Sequence, residues 1–128
     1  MDKLNEKIGE TVEKNTENIK ETVDYSTFKK IKMQIGTIIE AVPVEKSKNL
    51  LKLIIDIGEE KRQIVAGISN SYQPAEVVGK QVVIVANLEP KVIRGVESKG
   101  MVLAVGEDEK SIVLLTVDKK INVGQIVR

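Results

Sequence analysis

Short apolar segments, each about the length of one β-strand and each bounded by turn residues, recur from Phe28 to the end of the chain and constrain its fold most strongly. In the first segment, apolar and polar residues alternate up to about Glu40, which is the period of a strand with one buried face. Gly36 lies inside this segment and predicts a bulge or bend. The predicted strands are residues 28–40, 50–57, 62–68, 81–86, 100–105 and 111–117.

One connection in this series is not a simple turn. The segment from Ser69 to Gly79 predicts a short helix or loop between the third and fourth strands. Short strands with one short helical connection at that point are typical of the OB-fold, a five-stranded Greek-key barrel, although a β-sandwich also fits the pattern. We therefore predict an all-β protein, with the OB-fold as the leading architecture.

The first 27 residues differ in composition from the rest of the chain. They are almost wholly polar and favour a helix, with apolar residues on one narrow stripe. The stripe repeats every eleven residues, which is typical of nearly straight or slightly right-handed helix pairs. Such a helix would dock on the rest of the chain, pair with a copy of itself, or fray. We therefore divide the chain into an N-terminal amphipathic helix, residues 1–27, and a barrel domain, residues 28–128, that ends in a C-terminal strand extension.

The chain contains no cysteine and no histidine, which excludes several classes of functional site. Disulfides and thiolate metal sites cannot form, and the usual general base and the commonest zinc ligand are missing. The acidic run from Glu107 to Glu109 lies between two predicted strands, so we interpret it as a solvated turn rather than a magnesium site. We therefore expect no catalytic activity, no metal and no cofactor.

Charge is distributed unevenly along the chain, although the formal net charge is only +1. Residues 1–27 hold four lysines against seven acidic residues, whereas residues 28–128 hold sixteen basic residues against twelve acidic ones. A positive charge of this size supports phosphate contacts where it is clustered, and it is also compatible with an ordinary solvated surface. The sequence has neither a membrane-length apolar run nor a charged-then-apolar start, so we expect a cytosolic protein.

The stretch from Val85 to Met101 carries the strongest functional signal, V-A-N-L-E-P-K-V-I-R-G-V-E-S-K-G-M. It leaves a buried strand and becomes a polar excursion that is interrupted by Gly95 and Gly100. Loops that are held on rigid sheets commonly carry function. We therefore expect a binding partner to contact this excursion.

This stretch closely resembles the tRNA-binding domain that is appended to some methionyl-tRNA synthetases and that is found alone in small dimeric tRNA-binding proteins. Members of that family carry V-A-N-L-x-P followed by R-G-x-x-S-x-G-M, and the chain matches both patterns. The resemblance covers roughly Phe28 to Arg128. It implies an OB-fold, tRNA as the ligand, and a homodimer formed through the apolar segment from Ser111 to Arg128.

The residue types and the resemblance together predict the tRNA-binding residues. Arg94 can hold a phosphate or a guanine edge through its planar guanidinium group, and Gly95 would let the RNA backbone approach closely. Ser98 and Met101 match positions that contact tRNA in the family. Since the chain has only three aromatic residues, we expect recognition of folded RNA by shape, phosphates and 2′-hydroxyls rather than by stacking. The predicted set is Lys48, Lys52, Asn87, Lys91, Arg94, Ser98, Lys99 and Met101.

Structural roles are the alternatives for some of these residues. Arg94 would also fit a surface turn, Met101 would fit the core, and Asn87 would fit a strand end where it satisfies backbone groups. The chain also departs from the family pattern. Asn49 stands where members usually have a lysine, so we assign that contact to Lys48, and the family's first-strand arginine is replaced by Gln34.

Three functions are compatible with this sequence. The leading hypothesis is a non-catalytic tRNA-binding protein that acts in trans on an aminoacyl-tRNA synthetase or as a tRNA chaperone. The second is a peptide-binding chaperone or assembly factor on the same fold, as a related secretion-chaperone family suggests, although that family lacks R-G-x-x-S-x-G-M. The third is a structural synthetase-associated subunit that docks through its N-terminal helix. Fold alone does not decide among them.

Overall fold

The computed structural model describes residues 21–128, so most of the helix predicted for residues 1–27 lies outside the described residues. The chain divides into an N-terminal unit that ends at Lys30 and a second unit, Ile31–Arg128. In the described part of the N-terminal unit, a four-residue helix, α1 (Tyr25–Phe28), follows Asp24. The Asp24 carboxylate caps this helix by accepting a hydrogen bond from the Thr27 backbone N–H at 2.8 Å. Hydrogen bonds from Thr27 and Ser26 lower the pKa of Asp24.

The second unit is a nearly closed antiparallel β-barrel, which confirms the predicted OB-like fold. Five strands pair in the order β3-β2-β1-β4-β7. A helix, α2 (Pro74–Val77), connects β3 to β4, as the sequence predicted for this connection. The strands are β1 (Met33–Pro43), β2 (Leu51–Asp56), β3 (Lys61–Ala66), β4 (Gln81–Val85), β5 (Lys91–Ile93), β6 (Val96–Ser98), β7 (Met101–Val102), β8 (Ala104–Val105) and β9 (Val113–Leu114).

The core of the barrel is formed by alternate strand residues, as the alternation of apolar and polar residues in the sequence predicts. Leu51, Leu53 and Ile55 of β2 are fully buried, whereas the residues between them are half-buried. Ile64 of β3 and Ile84 of β4 join them in the same cluster. Alternate β2 residues therefore project outward, and one of these is Lys52.

The edge strand β3 is hydrogen-bonded to the segment that contains β6, which leads into the other edge strand, β7. The Lys99 backbone N–H donates to the Gln63 carbonyl at 2.8 Å. The Gln63 side-chain amide donates to the Glu97 carbonyl at 2.8 Å. These bonds occupy groups that an open sheet edge would leave unpaired.

The C-terminal segment lies along the first half of β1. The Ile35 backbone N–H donates to the Gln125 carbonyl at 3.0 Å, and the Val127 N–H donates to the Met33 carbonyl at 2.9 Å. Gln34, which is 3% exposed, donates its side-chain amide to the Gly124 carbonyl. Position 34 is therefore buried against the C-terminal segment and does not present a side chain to a binding surface.

Four details of the predicted strands are wrong. The first strand begins at Met33 rather than Phe28, because the chain first forms α1 and a turn. The bulge lies between Ile38 and Glu40 rather than at Gly36. The predicted strand 100–105 is divided into β7 and β8, and the predicted strand 111–117 retains only β9. Gly36 is instead a regular member of β1 at a place where the Ile55 side chain packs against the backbone.

Replacing Gly36 with alanine should lower the free energy of unfolding by about 1–3 kcal/mol, because the barrel wall is already filled at this point. The new Cβ would meet the Ile55 Cγ2 methyl and would lie 3.1 Å from Ile57 Cγ2. Both neighbours are β-branched and cannot rotate away easily. Gly67→Ala is the matched control, since its Cβ would have no neighbour closer than 3.7 Å. Urea unfolding measures both variants, and equal losses would contradict the crowding at position 36.

Candidate nucleic-acid interface

A two-stranded hairpin, β5–β6, projects from the connection between β4 and β7. The sequence predicted an excursion here but not its strands. Arg94 and Gly95 form the turn, with φ values of 52° and 80°. Positive φ at both central residues is the geometry of a type I′ turn, which matches the twist of antiparallel strands. The hairpin therefore presents Arg94, an exposed cation, at its tip.

The hairpin is anchored to the barrel by Ser98, which is 4% exposed. Its hydroxyl accepts a hydrogen bond from the Val65 backbone N–H at 3.0 Å and donates one to the Gly100 carbonyl at 3.1 Å. The first bond is buried and the second is partly buried. The Ser98 hydroxyl thus fixes the hairpin against the outer side of β3.

Strand register places two predicted lysines on either side of this anchor. Lys52 of β2 is the register partner of Val65 in β3, and Lys91 of β5 is the register partner of Ser98 in β6. Because Ser98 bonds to Val65, the order across the outer surface is Lys52, Val65, Ser98, Lys91. The surface formed by β2, β3 and the hairpin is therefore flanked by cations on both sides.

A cleft of about 300 Å³ opens where the hairpin meets β3 and the segment after β4. Val65, Ile93 and Lys91 contribute to its lining. Leu88 and Met101 also line it, and each is 47% exposed. Met101 is therefore not a core residue, and it is accessible beside the hairpin, as a tRNA-binding role would require.

The loop between β1 and β2 supplies a second group of cations. Lys46 and Lys48 are exposed there, and Lys46 adopts a positive φ of 63°. The loop is held at the end of β3 because the Ser69 backbone N–H donates to the Asn49 carbonyl at 3.1 Å. Asn49 also bonds to the Ser47 hydroxyl, so its side chain stabilises the loop. In OB-folds, oligonucleotides bind to the face of the second and third barrel strands, to the loop between the first and second barrel strands, and to the loop between the fourth and fifth. The hairpin lies in the last of these loops, between β4 and β7.

Two further predicted residues hold neighbouring backbone segments together. Asn87 is exposed, and its side-chain oxygen accepts a hydrogen bond from the Lys32 backbone N–H at 2.8 Å. Lys99 is exposed, but its carbonyl accepts a hydrogen bond from Arg62 at 3.1 Å. Asn87 therefore satisfies a backbone group at the end of β4, as the structural alternative proposed.

Arg62 has a structural role that the sequence did not indicate. Its side chain is only 19% exposed, although Arg62 lies at the start of a strand next to an acidic turn. Its guanidinium donates to the Ala86 carbonyl at 2.6 Å and to the Lys99 carbonyl, and it pairs with Glu60 at 3.0 Å. Arg62 thus links β3 to both ends of the segment that carries the hairpin. Its partners are mostly backbone carbonyls, which leave no pattern in a sequence.

Replacing Ser98 with alanine should lower the free energy of unfolding by about 1–3 kcal/mol, because the buried Val65 N–H loses its acceptor. Ser69→Ala is a suitable control, since that hydroxyl makes a longer, exposed bond of 3.3 Å to the Lys48 carbonyl. Thermal or urea unfolding compares the two. A Ser98 variant as stable as the Ser69 variant would contradict the anchoring role.

The acidic run near residue 108 forms a turn with internal hydrogen bonds. The Asp108 carboxylate accepts from the Lys110 backbone N–H at 2.9 Å and from the Ser111 hydroxyl at 3.1 Å. Within residues 21–128, no group of three or more acidic side chains is arranged to hold a metal ion. Neither α1 nor α2, the helices of this range, is long and apolar enough to cross a membrane.

The chain is similar to known protein sequences over most of its length. Residues 33–126 match a family model described as a putative tRNA-binding domain. The methionine–tRNA ligase of Methanocaldococcus jannaschii is 46% identical over an aligned length of 133 residues. The alignment covers 97% of this chain and 20% of that protein. The corresponding ligase of Methanococcus aeolicus is 50% identical over 84% of this chain and 16% of its own length. The chain thus spans about a fifth or less of these relatives.

Two solved structures with a similar fold are covered almost completely by this chain. The crystal structure of a MetRS-related protein from Pyrococcus horikoshii has a TM-score of 0.79 and 37% identity, covering 85% of this chain and 100% of that one. The chaperone CsaA from Bacillus anthracis has a TM-score of 0.76 and 28% identity, covering 84% of this chain and 99% of that one. On the family match over residues 33–126 and this structural agreement, the chain belongs to the tRNA-binding domain family.

Proposed function

We propose that the chain is a non-catalytic tRNA-binding protein that holds folded tRNA against the outer face of β2 and β3. The observation that carries this proposal is the placement of cations on three elements around one surface. Lys48 comes from the β1–β2 loop, Lys52 from β2, and Lys91 and Arg94 from the hairpin. Cations spread over a surface in this way suit the phosphates of a folded RNA better than a single bound anion.

Binding to bulk folded tRNA, compared with unstructured RNA and DNA of equal length, tests the proposal directly. We expect preference for folded tRNA and an affinity that falls steeply as salt rises from about 50 to 200 mM. The salt slope reports how many phosphates the protein neutralises. Binding that does not depend on salt, or equal affinity for the three nucleic acids, would contradict recognition of folded tRNA.

We further propose that the protein acts in trans, in the cytoplasm, to supply tRNA affinity to an aminoacyl-tRNA synthetase. The relatives that support this are methionine–tRNA ligases, in which the matched region is a minor part of a longer chain. Adding this chain to a methionyl-tRNA synthetase catalytic domain should lower the KM for tRNA. An unchanged KM, with tRNA binding intact, would favour a tRNA chaperone that acts without a synthetase.

A homodimer is the expected state, formed through the C-terminal part of the chain. Val105 of β8 and Val113 of β9 are register partners, so their side chains share one face, and they are 59% and 54% exposed. Leu115 follows at the alternate position and is 36% exposed. This exposed apolar face would be covered by its copy in a two-fold interface, which would place two tRNA-binding surfaces on one particle.

Sedimentation measures the oligomeric state. The unmodified protein should sediment as a dimer, and Val113→Lys should sediment as a folded monomer, because a charge would be buried in the apolar interface. The exposed variant Val92→Lys is a control, since Val92 lies on the hairpin. A monomeric unmodified protein would contradict the dimer.

A peptide-binding chaperone is the second candidate, and one observation favours it. The CsaA chaperone has the same fold over 84% of this chain, and the cleft near Met101 exposes apolar side chains. Competition between folded tRNA and an unfolded apolar peptide separates the two functions. Peptide binding without tRNA binding would select the chaperone.

A further inference from the structure

The cleft beside the hairpin differs chemically from the cationic surface around it. Its lining includes the apolar side chains of Val65, Leu88, Ile93 and Met101. Leu88 and Met101 remain 47% exposed, although the chain buries comparable side chains in its core. At about 300 Å³ the cleft lies at the small end of the range for ligand clefts. It therefore suits a single small group rather than an extended ligand.

Cations surround this apolar cleft. Lys91 is part of its lining, and Lys52 is the register partner of Val65, which also lines it. Arg94 follows Ile93 directly in the hairpin turn. A ligand that enters the cleft must therefore carry an apolar face and belong to a polyanion.

Glu89 indicates which part of a nucleic acid enters the cleft. Glu89 is one of the residues that line the cleft, and a carboxylate there would repel a phosphate group. A carboxylate can, however, accept hydrogen bonds from the amino groups of a nucleobase. The phosphates would then contact the lysines outside, and a base would be the part that enters.

From these observations we infer that the cleft takes one unstacked nucleobase of the bound RNA, in contact with Met101, Leu88 and Ile93. The inference rests on the proposed function and adds a base contact to a surface that otherwise binds by shape and phosphates. Enzymes and RNA-binding proteins hold unstacked bases between aromatic or apolar side chains. In a chain with no tryptophan, the polarizable Met101 thioether provides an apolar contact of this kind.

Three single variants separate the base contact from the phosphate contacts. Met101→Ser and Leu88→Ser remove apolar surface from the cleft. Val92→Ser removes a similar group that is 67% exposed but alternates with the cleft residues Lys91 and Ile93, so it faces the other way. All three side chains are exposed, so the variants should fold, and their melting temperatures check this.

The probe is bulk folded tRNA, with binding measured in a salt series and unpaired bases mapped with dimethyl sulfate. We expect each cleft variant to weaken tRNA binding about five-fold or more without changing the salt slope. Val92→Ser should change the affinity for tRNA less than about two-fold. At least one unpaired base should be protected by the unmodified protein and exposed again with Met101→Ser.

Two results would overturn the inference while leaving tRNA binding intact. One is unchanged affinity and unchanged base reactivity in both cleft variants. The other is a cleft variant that loses binding to an unfolded apolar peptide but keeps its affinity for tRNA. If the unmodified protein bound no tRNA at all, the proposed function would fail as well, so the two failures are distinguishable.

Discussion

Replacing Gly100 with alanine should destabilise the barrel by about 3 kcal/mol or more, because backbone strain and a steric clash add at this position. Gly100 has a φ of 138°, which side-chain-bearing residues rarely adopt. An added Cβ would lie 2.8 Å from the Val85 carbonyl oxygen and 3.2 Å from Ile64 Cδ1. The carbonyl cannot retreat easily, since Val85 is held between Met33 of β1 and Met101 of β7.

Gly95→Ala is the matched control for this prediction. Gly95 also has a positive φ, 80°, but its Cβ would have no neighbour within 4 Å, so only the strain remains. Urea unfolding of the two variants therefore compares Gly100 with a positive-φ glycine that has open space around it. Equal losses in both would show that β4 and β7 separate freely at Gly100, which would contradict the pairing of these two strands.

Removing three cations from the hairpin region should weaken tRNA binding about 100-fold or more at about 50 mM salt, because each phosphate contact contributes to both affinity and salt dependence. The variant carries Lys91→Ala, Arg94→Ala and Lys99→Ala, all at exposed positions. Its salt slope should fall by about two to three. Electrophoretic mobility shift or filter binding over a salt series measures both quantities.

A second triple variant controls for net charge. Lys80→Ala, Lys119→Ala and Lys120→Ala remove the same charge from exposed positions outside the hairpin and the β1–β2 loop. We expect this variant to retain most of its affinity. If both triple variants lost equal affinity, binding would depend on overall charge rather than on the proposed surface.

The sequence predicted the barrel strands because burial imposes a visible period on them. Leu51, Leu53 and Ile55 alternate with outward residues in the sequence, and the same three residues are buried in the structure. The hairpin left no such pattern. Its strands are three residues each, and they lie over β3 rather than in the core, so no period of buried residues develops.

The contacts that position the site were beyond prediction for a different reason. Ser98 and Arg62 act through backbone groups of residues that are distant in sequence. Backbone donors and acceptors occur at almost every residue, so the sequence does not reveal which of them a side chain will contact. The cationic residues proposed to bind phosphate could be predicted, whereas the apolar cleft between them required the register of β3 and the hairpin.

In the proposed complex, tRNA contacts the face formed by β2, β3, the β1–β2 loop and the hairpin. Lysine acetylation with and without folded tRNA, read by mass spectrometry, tests it most directly because lysines lie on several sides of the protein. We predict that tRNA protects Lys48, Lys52, Lys91 and Lys99 and leaves Lys110, Lys119 and Lys120 reactive. Protection confined to the last three lysines, or spread evenly over all of them, would contradict tRNA binding at this face.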